Sequence, residues 1–194
     1  MEIGATKAVQ DRLKTTKIEE SKGASLVFCW DTHLTKIKGR NVLFIVNASN
    51  RYTIAMTDIE PRNWNYYAMY IIRVIHGVMQ EMGYSEEQIE QYFKMSGDTT
   101  ITKTHGRKSV GGINRMVMDA QYFGKKLEKE AKYQWELSEY LNRDICQPEG
   151  FDAYGYPSEL FKLDMERLGI AAKRKPAKVI DIAQYIENNR GTND

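Results

Sequence analysis

The sequence is poor in cysteine, in proline and in long apolar runs, and each shortage excludes a class of protein. Only Cys29 and Cys146 occur in 194 residues, so no disulfide framework can form and a reducing, cytoplasmic compartment is expected. Four prolines and 14 glycines are too few for a disordered or fibrous chain. No apolar run approaches the roughly 20 residues of a membrane span, and Met1-Glu2-Ile3-Gly4 does not read as a signal peptide, so no membrane is expected as a partner. Charge of one sign is missing too. The net charge is +2, too small to announce a nucleic-acid binder by itself. Catalytic signatures are equally scarce: the three histidines stand in no Gly-x-Ser-x-Gly or His-Glu-x-x-His context, and there is no Walker loop.

What is present is a globular composition, 42% hydrophobic and 28% charged, long enough for one sizeable core. Residues 5–14 carry a short helical stripe through Val9 and Leu13, and a polar loop follows from Thr15 to Ala24. The period then changes to two. Leu26, Phe28 and Trp30 alternate with Val27, Cys29 and Asp31, and the run Val42 to Val46 suits a strand buried on both faces. Tyr52 to Thr57 reads as a third strand and Thr99 to Lys103 as a fourth. From Pro61 the apolar positions Trp64, Tyr67, Ile71, Ile75, Val78 and Met82 step by three and four, predicting one helix that ends at Gly83. Ser85 to Gln88 is a capping box opening another helix, which Gly97 closes.

A long helix is expected over about 109–141, then an irregular stretch to Pro157, then helices over 158–168 and 177–189. The fold class expected is α+β: a small antiparallel β-sheet packed on helices, with the long helix leading into a helical C-terminal extension. A soft boundary near 121 divides an α+β domain, 1–120, from an extension, 121–194, expected to wrap over Tyr66, Met69 and Tyr70. The wider aromatic set, with Tyr133, Trp135, Tyr140, Phe151, Tyr154 and Tyr156, reads as core or helix interface rather than a base-stacking platform.

The sharpest local charge lies over 98–118, where Lys103, Arg107, Lys108 and Arg115 face Asp98 alone. Within it, Lys103-Thr104-His105-Gly106-Arg107-Lys108-Ser109 joins a strand to a helix. Free N–H groups, glycine and a forked guanidinium suit an anion there. The candidate anion-binding residues are therefore Lys103, His105, Arg107 and Ser109, joined by Arg51 if the turn Asn47 to Arg51 folds toward them. A second basic cluster, Lys173-Arg174-Lys175, reads as a solvated loop. Cys29-x-Asp31-x-His33 is the one metal-like constellation: period two puts its members on one strand face, with His105 or Cys146 as a distant fourth ligand. Its spacing matches no finger or ribbon, so no metal and no cofactor are expected. His76, on the flank of the long helix, reads as structural.

Four stretches also resemble a bacterial domain family of unknown function. They are the opening Ile3-Gly4-Ala5-Thr6-Lys7-Ala8-Val9-Gln10-Asp11, the strand Trp30-Asp31-Thr32-His33-Leu34, the turn Asn47-Ala48-Ser49-Asn50-Arg51-Tyr52 and the segment Thr100 to Arg107. The resemblance covers about residues 1–120. It implies a bacterial and mobile-element setting, and it implies no chemistry. Two functions follow as expectations. The first is a non-catalytic binding or accessory module for nucleic acid or a protein partner, including a second copy of itself. The alternative is an enzyme acting on a phosphate-bearing small molecule or nucleotide through Arg51, Lys103, His105 and Arg107.

Overall fold

A computed structural model describes residues 1–14 and 18–172. The basic cluster at 173–175 and the helix expected over 177–189 lie outside the described residues. Five strands, β1 (Glu2–Ala5), β2 (Cys29–Ile37), β3 (Arg40–Asn47), β4 (Thr53–Thr57) and β5 (Thr100–Thr102), form one sheet in the order β4-β3-β2-β1-β5. The α+β class is as the sequence implied. β2, β3 and β4 make the antiparallel meander read from the alternation. The β2–β3 turn is two residues long, and both Lys38 and Gly39 have positive φ (49° and 83°), the conformation that matches the twist of the flanking strands.

The sheet as a whole is mixed rather than antiparallel, because β1 pairs parallel with both β2 and β5. Four residues with a glycine among them carry no period of their own. Their pairing is fixed by burial between neighbours, with Ile3 opposite Trp30 on one side and Ile101 on the other. A parallel neighbour needs a crossover, and α1 (Lys7–Leu13) lies on the connection from β1 to β2.

Helices cover both faces of the sheet. On one face Ile3, Trp30, Leu43, Ile45 and Ile54 pack against α3 (Tyr67–Glu81), α4 (Glu86–Ser96) and α7 (Pro157–Arg167). On the other, Val42, Phe44, Val46 and Ala55 pack against α5 (Gly106–Gln121) and α6 (Trp135–Asn142). β3 is thus buried on both sides, as its unbroken apolar run requires. The capping box at Ser85 and Gln88 is present and starts α4. The helix read from Pro61 is interrupted: α2 (Pro61–Asn65) stops at Tyr66, whose backbone leaves the helical region (φ −116°, ψ 43°), and α3 resumes at Tyr67. The stripe on α3 is core, with Ile71 and Ile75 buried.

One expectation for the C-terminal half is overturned. The helix over 109–141 ends at Gln121, and residues 122–134 are irregular. Leu127 and Ala131 continue the apolar spacing of α5, but Phe123 and Leu127 reach the core from a loop rather than from a helix. The buried Gln134 side chain donates to the Glu128 and Ala131 carbonyls and accepts from the Glu128 N–H, so one amide satisfies a loop's backbone. Among the described residues Tyr66 and Met69 stay 72% and 57% exposed, and Tyr70 is half-buried. Trp135, Tyr140, Tyr154 and Tyr156 are exposed as well.

What the segment from 131 covers is the open edge of β4. Thr57 N–H donates to the Lys132 carbonyl, and Gln134 N–H donates to the Ala55 carbonyl. The Ser138 hydroxyl accepts from Ala55 N–H, and Asn142 both accepts from and donates to the backbone of Thr53. A strand edge that would otherwise recruit another chain is closed in this way.

Candidate functional site

β1, β2 and the start of α5 meet on one face of the sheet and bring four polar side chains into a buried cluster. Period two along β2 puts Cys29 and Asp31 on this face and Trp30 on the opposite one. Glu2 stands beside Cys29, and Gly4 beside Asp31, in the parallel register. His105, immediately before α5, enters between the carboxylates: its Nδ1 is 2.7 Å from Asp31 Oδ1 and its Nε2 is 3.0 Å from Glu2 Oε2. The His105, Glu2 and Asp31 side chains are 3%, 5% and 0% exposed. Gly4 is what admits them, since a Cβ there would stand 1.8 Å from Asp31 Oδ1.

Asp31 is itself the anion at the head of α5. Its carboxylate accepts from His105 N–H at 3.2 Å and from the Ser109 hydroxyl. A carboxylate satisfies free helix N–H groups and opposes the helix dipole. Burial alone would lower the pKa of His105. Its hydrogen bonds to Asp31 and Cys29 and the negative charge of the Asp31 carboxylate outweigh that and raise it to about 10. Burial would likewise raise Glu2, but the Ser21 hydroxyl, the Lys22 N–H and His105 together hold it below the usual carboxylate range.

A second feature lies on the other side of Ser109. The turn Asn47 to Asn50 is built by its own side chains: Asn47 Oδ1 accepts from the N–H groups of Ser49 and Asn50. The turn ends in Arg51 at φ 62°. Arg51 reaches across to α5, where its guanidinium donates to the Gly112 carbonyl. A Cβ at Gly112 would lie 3.0 Å from that guanidinium, so glycine is what lets it through. Arg51, Lys108, Ser109 and Arg115 line a cleft of about 230 Å³ between this turn, α5 and the Gln147–Glu149 segment. Lys108 Nζ donates to the Pro148 carbonyl at 3.3 Å, and Glu149 is the one acidic residue in the lining.

The five residues singled out from the sequence are therefore distributed. Arg51 and Ser109 share the cleft. His105 is sealed behind Ser109. Lys103 pairs with Glu20. Arg107 is exposed and makes no hydrogen bond or ion pair among the described residues. Ser109 is the fourth residue of α5. Of the metal-like constellation, Cys29 and Asp31 join His105, whereas His33 turns to Thr6 (3.2 Å). His76 pairs with Glu86 at 2.7 Å. Glu2 escaped sequence reasoning altogether, because nothing local marks β1 as a strand. Lys108 and Arg115 were visible only as part of a regional charge excess.

The model of a family described as a domain of unknown function, DUF6933, matches residues 2–160. That span includes both features and continues past 121, where the sequence suggested a boundary. No curated protein and no solved structure matches the chain.

Proposed function

The chain belongs to the DUF6933 family, and on that premise we propose that it is a non-catalytic binding module that takes a phosphate-bearing ligand, a nucleic-acid backbone above all, in the cleft beside α5. The observation that carries this reading is the convergence of Arg51, Lys108 and Arg115 from two separate elements on one cleft with a single acid in its lining. Guanidinium groups recognise phosphate by paired hydrogen bonds, and Lys108 adds a point charge. Arg107, exposed and next to Lys108 in the chain, adds a further positive charge nearby. The burial of His105 also favours binding over catalysis. A histidine held between two carboxylates and screened from the cleft has no route to a substrate proton. Among the described residues no helix is long and apolar enough to cross a membrane, and two unpaired buried cysteines accord with a cytoplasmic module. The resemblance noted above extends the proposal to a bacterial, mobile-element setting.

Fluorescence anisotropy with a labelled mixed-sequence single strand tests this. Binding is expected at low salt, with log K falling against log salt at a slope of about −2, the value for roughly three phosphate contacts. Lys108→Glu with Arg115→Glu should abolish it without changing the melting point by more than a few degrees. No binding at low salt, or binding indifferent to both reversals, would remove the reading. Stabilisation by mononucleotides without oligonucleotide binding would favour the small-molecule alternative, for which the same cleft is the observation.

A further inference from the structure

Glu2, Cys29 and His105 come from three different elements, yet one ligand atom of each lies within 4.8 Å of the other two. We propose that these three side chains bind a divalent transition metal of the zinc class, with Asp31 orienting His105 from behind. The inference stands apart from the binding reading, because none of the three residues lines the basic cleft.

Tetrahedral zinc, with bonds of about 2.0–2.3 Å, holds its ligands roughly 3.3–3.6 Å apart. About an ångström of inward movement therefore closes the set. The donor types select the ion. A thiol with an imidazole and one carboxylate suits zinc or cobalt, whereas calcium and magnesium want oxygen alone. The outer shell is already built: His105 Nδ1 sits 2.7 Å from Asp31 Oδ1, which turns Nε2 toward Glu2. A carboxylate behind one ring nitrogen is the arrangement that fixes the tautomer and aim of a metal-bound histidine. Gly4 keeps that carboxylate in position by leaving it the space a Cβ would fill.

Binding releases protons: a bare His105 Nε2 and a Cys29 thiolate are the ligating forms, so the protons those atoms carry leave to solvent. Glu2 transfers its contact from the imidazole to the ion. Three protein ligands leave a fourth position for water. The ion would pin β1 and β2 to the head of α5, and through Asp31 and Ser109 it would fix where α5 begins.

The full chain, freed of metal by chelation, is titrated with cobalt(II) or zinc(II) alone. One equivalent of cobalt should give a thiolate-to-cobalt charge-transfer band that zinc bleaches, and zinc should raise the melting point by several degrees. Cys146→Ser should keep the band and Cys29→Ser should abolish it. Asp31→Asn should keep the band but weaken zinc by about 10–100-fold, the usual effect of losing an outer-shell partner. Should Cys29→Ser not fold, Glu2→Gln carries the test, with zinc affinity expected to fall at least tenfold. A band that follows Cys146, zinc affinity untouched by Glu2→Gln, or neither a band nor a melting shift in the wild type overturns the site.

Discussion

Replacing Gly4 by alanine adds one methyl group at the most crowded point of the buried cluster. The new Cβ would stand 1.8 Å from Asp31 Oδ1, 3.0 Å from Asp31 Cγ and 3.1 Å from His105 Nδ1. The backbone cannot retreat to make room. Gly4 lies in the middle strand of three, opposite Asp31 on one side and Thr102 on the other, and its carbonyl accepts from the Thr32 hydroxyl at 2.8 Å. Asp31 must therefore swing away, giving up His105 and Ser109 together and leaving an imidazolium facing Glu2 alone. Breaking one side of a buried, hydrogen-bonded ion pair costs about 3–5 kcal/mol. For a chain of this size each kcal/mol moves the melting point by about 2–4 °C, so the midpoint should drop by roughly 6–20 °C. Urea denaturation gives the free energy and calorimetry the midpoint. Gly77→Ala is the control. It sits inside α3 with nothing within 4 Å of a built Cβ, and alanine there should stabilise by up to about 1 kcal/mol. If Gly4→Ala lies within about 1 kcal/mol of wild type, the cluster is not the rigid assembly described.

In metal-free protein His105 also sets a pH dependence. Its folded pKa of about 10 lies above the ordinary histidine value of 6.5, so its contribution is complete below pH 6.5 and is lost as pH rises from there toward 10. The urea midpoint should fall across that window, and His105→Gln should flatten the fall; an identical slope in the variant would assign it to other groups. Tyr92→Phe should cost about 1–3 kcal/mol, because the buried Trp30 Nε1–H donates to the Tyr92 hydroxyl at 2.9 Å and that hydroxyl in turn donates to the Val27 carbonyl at 2.7 Å. A cost below about 0.5 kcal/mol in chemical unfolding would mean that the indole N–H finds another acceptor.

Elements that carry their own signal were legible in advance. The alternation from Cys29 to Asp31, the apolar run 42–46, the capping box at Ser85 and the stripe through Ile71 and Ile75 each state a local period or a local hydrogen bond, whereas Leu26–Phe28, read into the same strand, forms a 3-10 turn ahead of it. The resemblance of residues 1–120 to an uncharacterised family was legible too, and the family match extends it to 160. The errors fall where local signal conflicts with long-range demand. β1 was missed because four residues define no period. The helix through 122–134 was over-extended because Leu127 and Ala131 continue the spacing of Val110, Ile113, Val117 and Ala120, whereas the chain leaves the helix after Gln121 and lays the segment from 132 along the edge of β4.

By itself, then, the sequence determined the α+β class, the antiparallel meander and the core helix, since spacing within a dozen residues is enough to say which side of an element meets water. It also determined that charge gathers around α5 and that no familiar catalytic motif is present. Only the tertiary structure decided the rest. It paired β1 in parallel between β2 and β5, and so carried Glu2 to within 3.0 Å of a histidine 103 residues away. It put Asp31, rather than an outside anion, at the head of α5, and it joined Arg51 to Lys108 and Arg115 while turning His105 away from them. The physical reason is common to all of these. A buried charge must find its partner in space, and nothing in the spacing along a chain records which distant partner that will be.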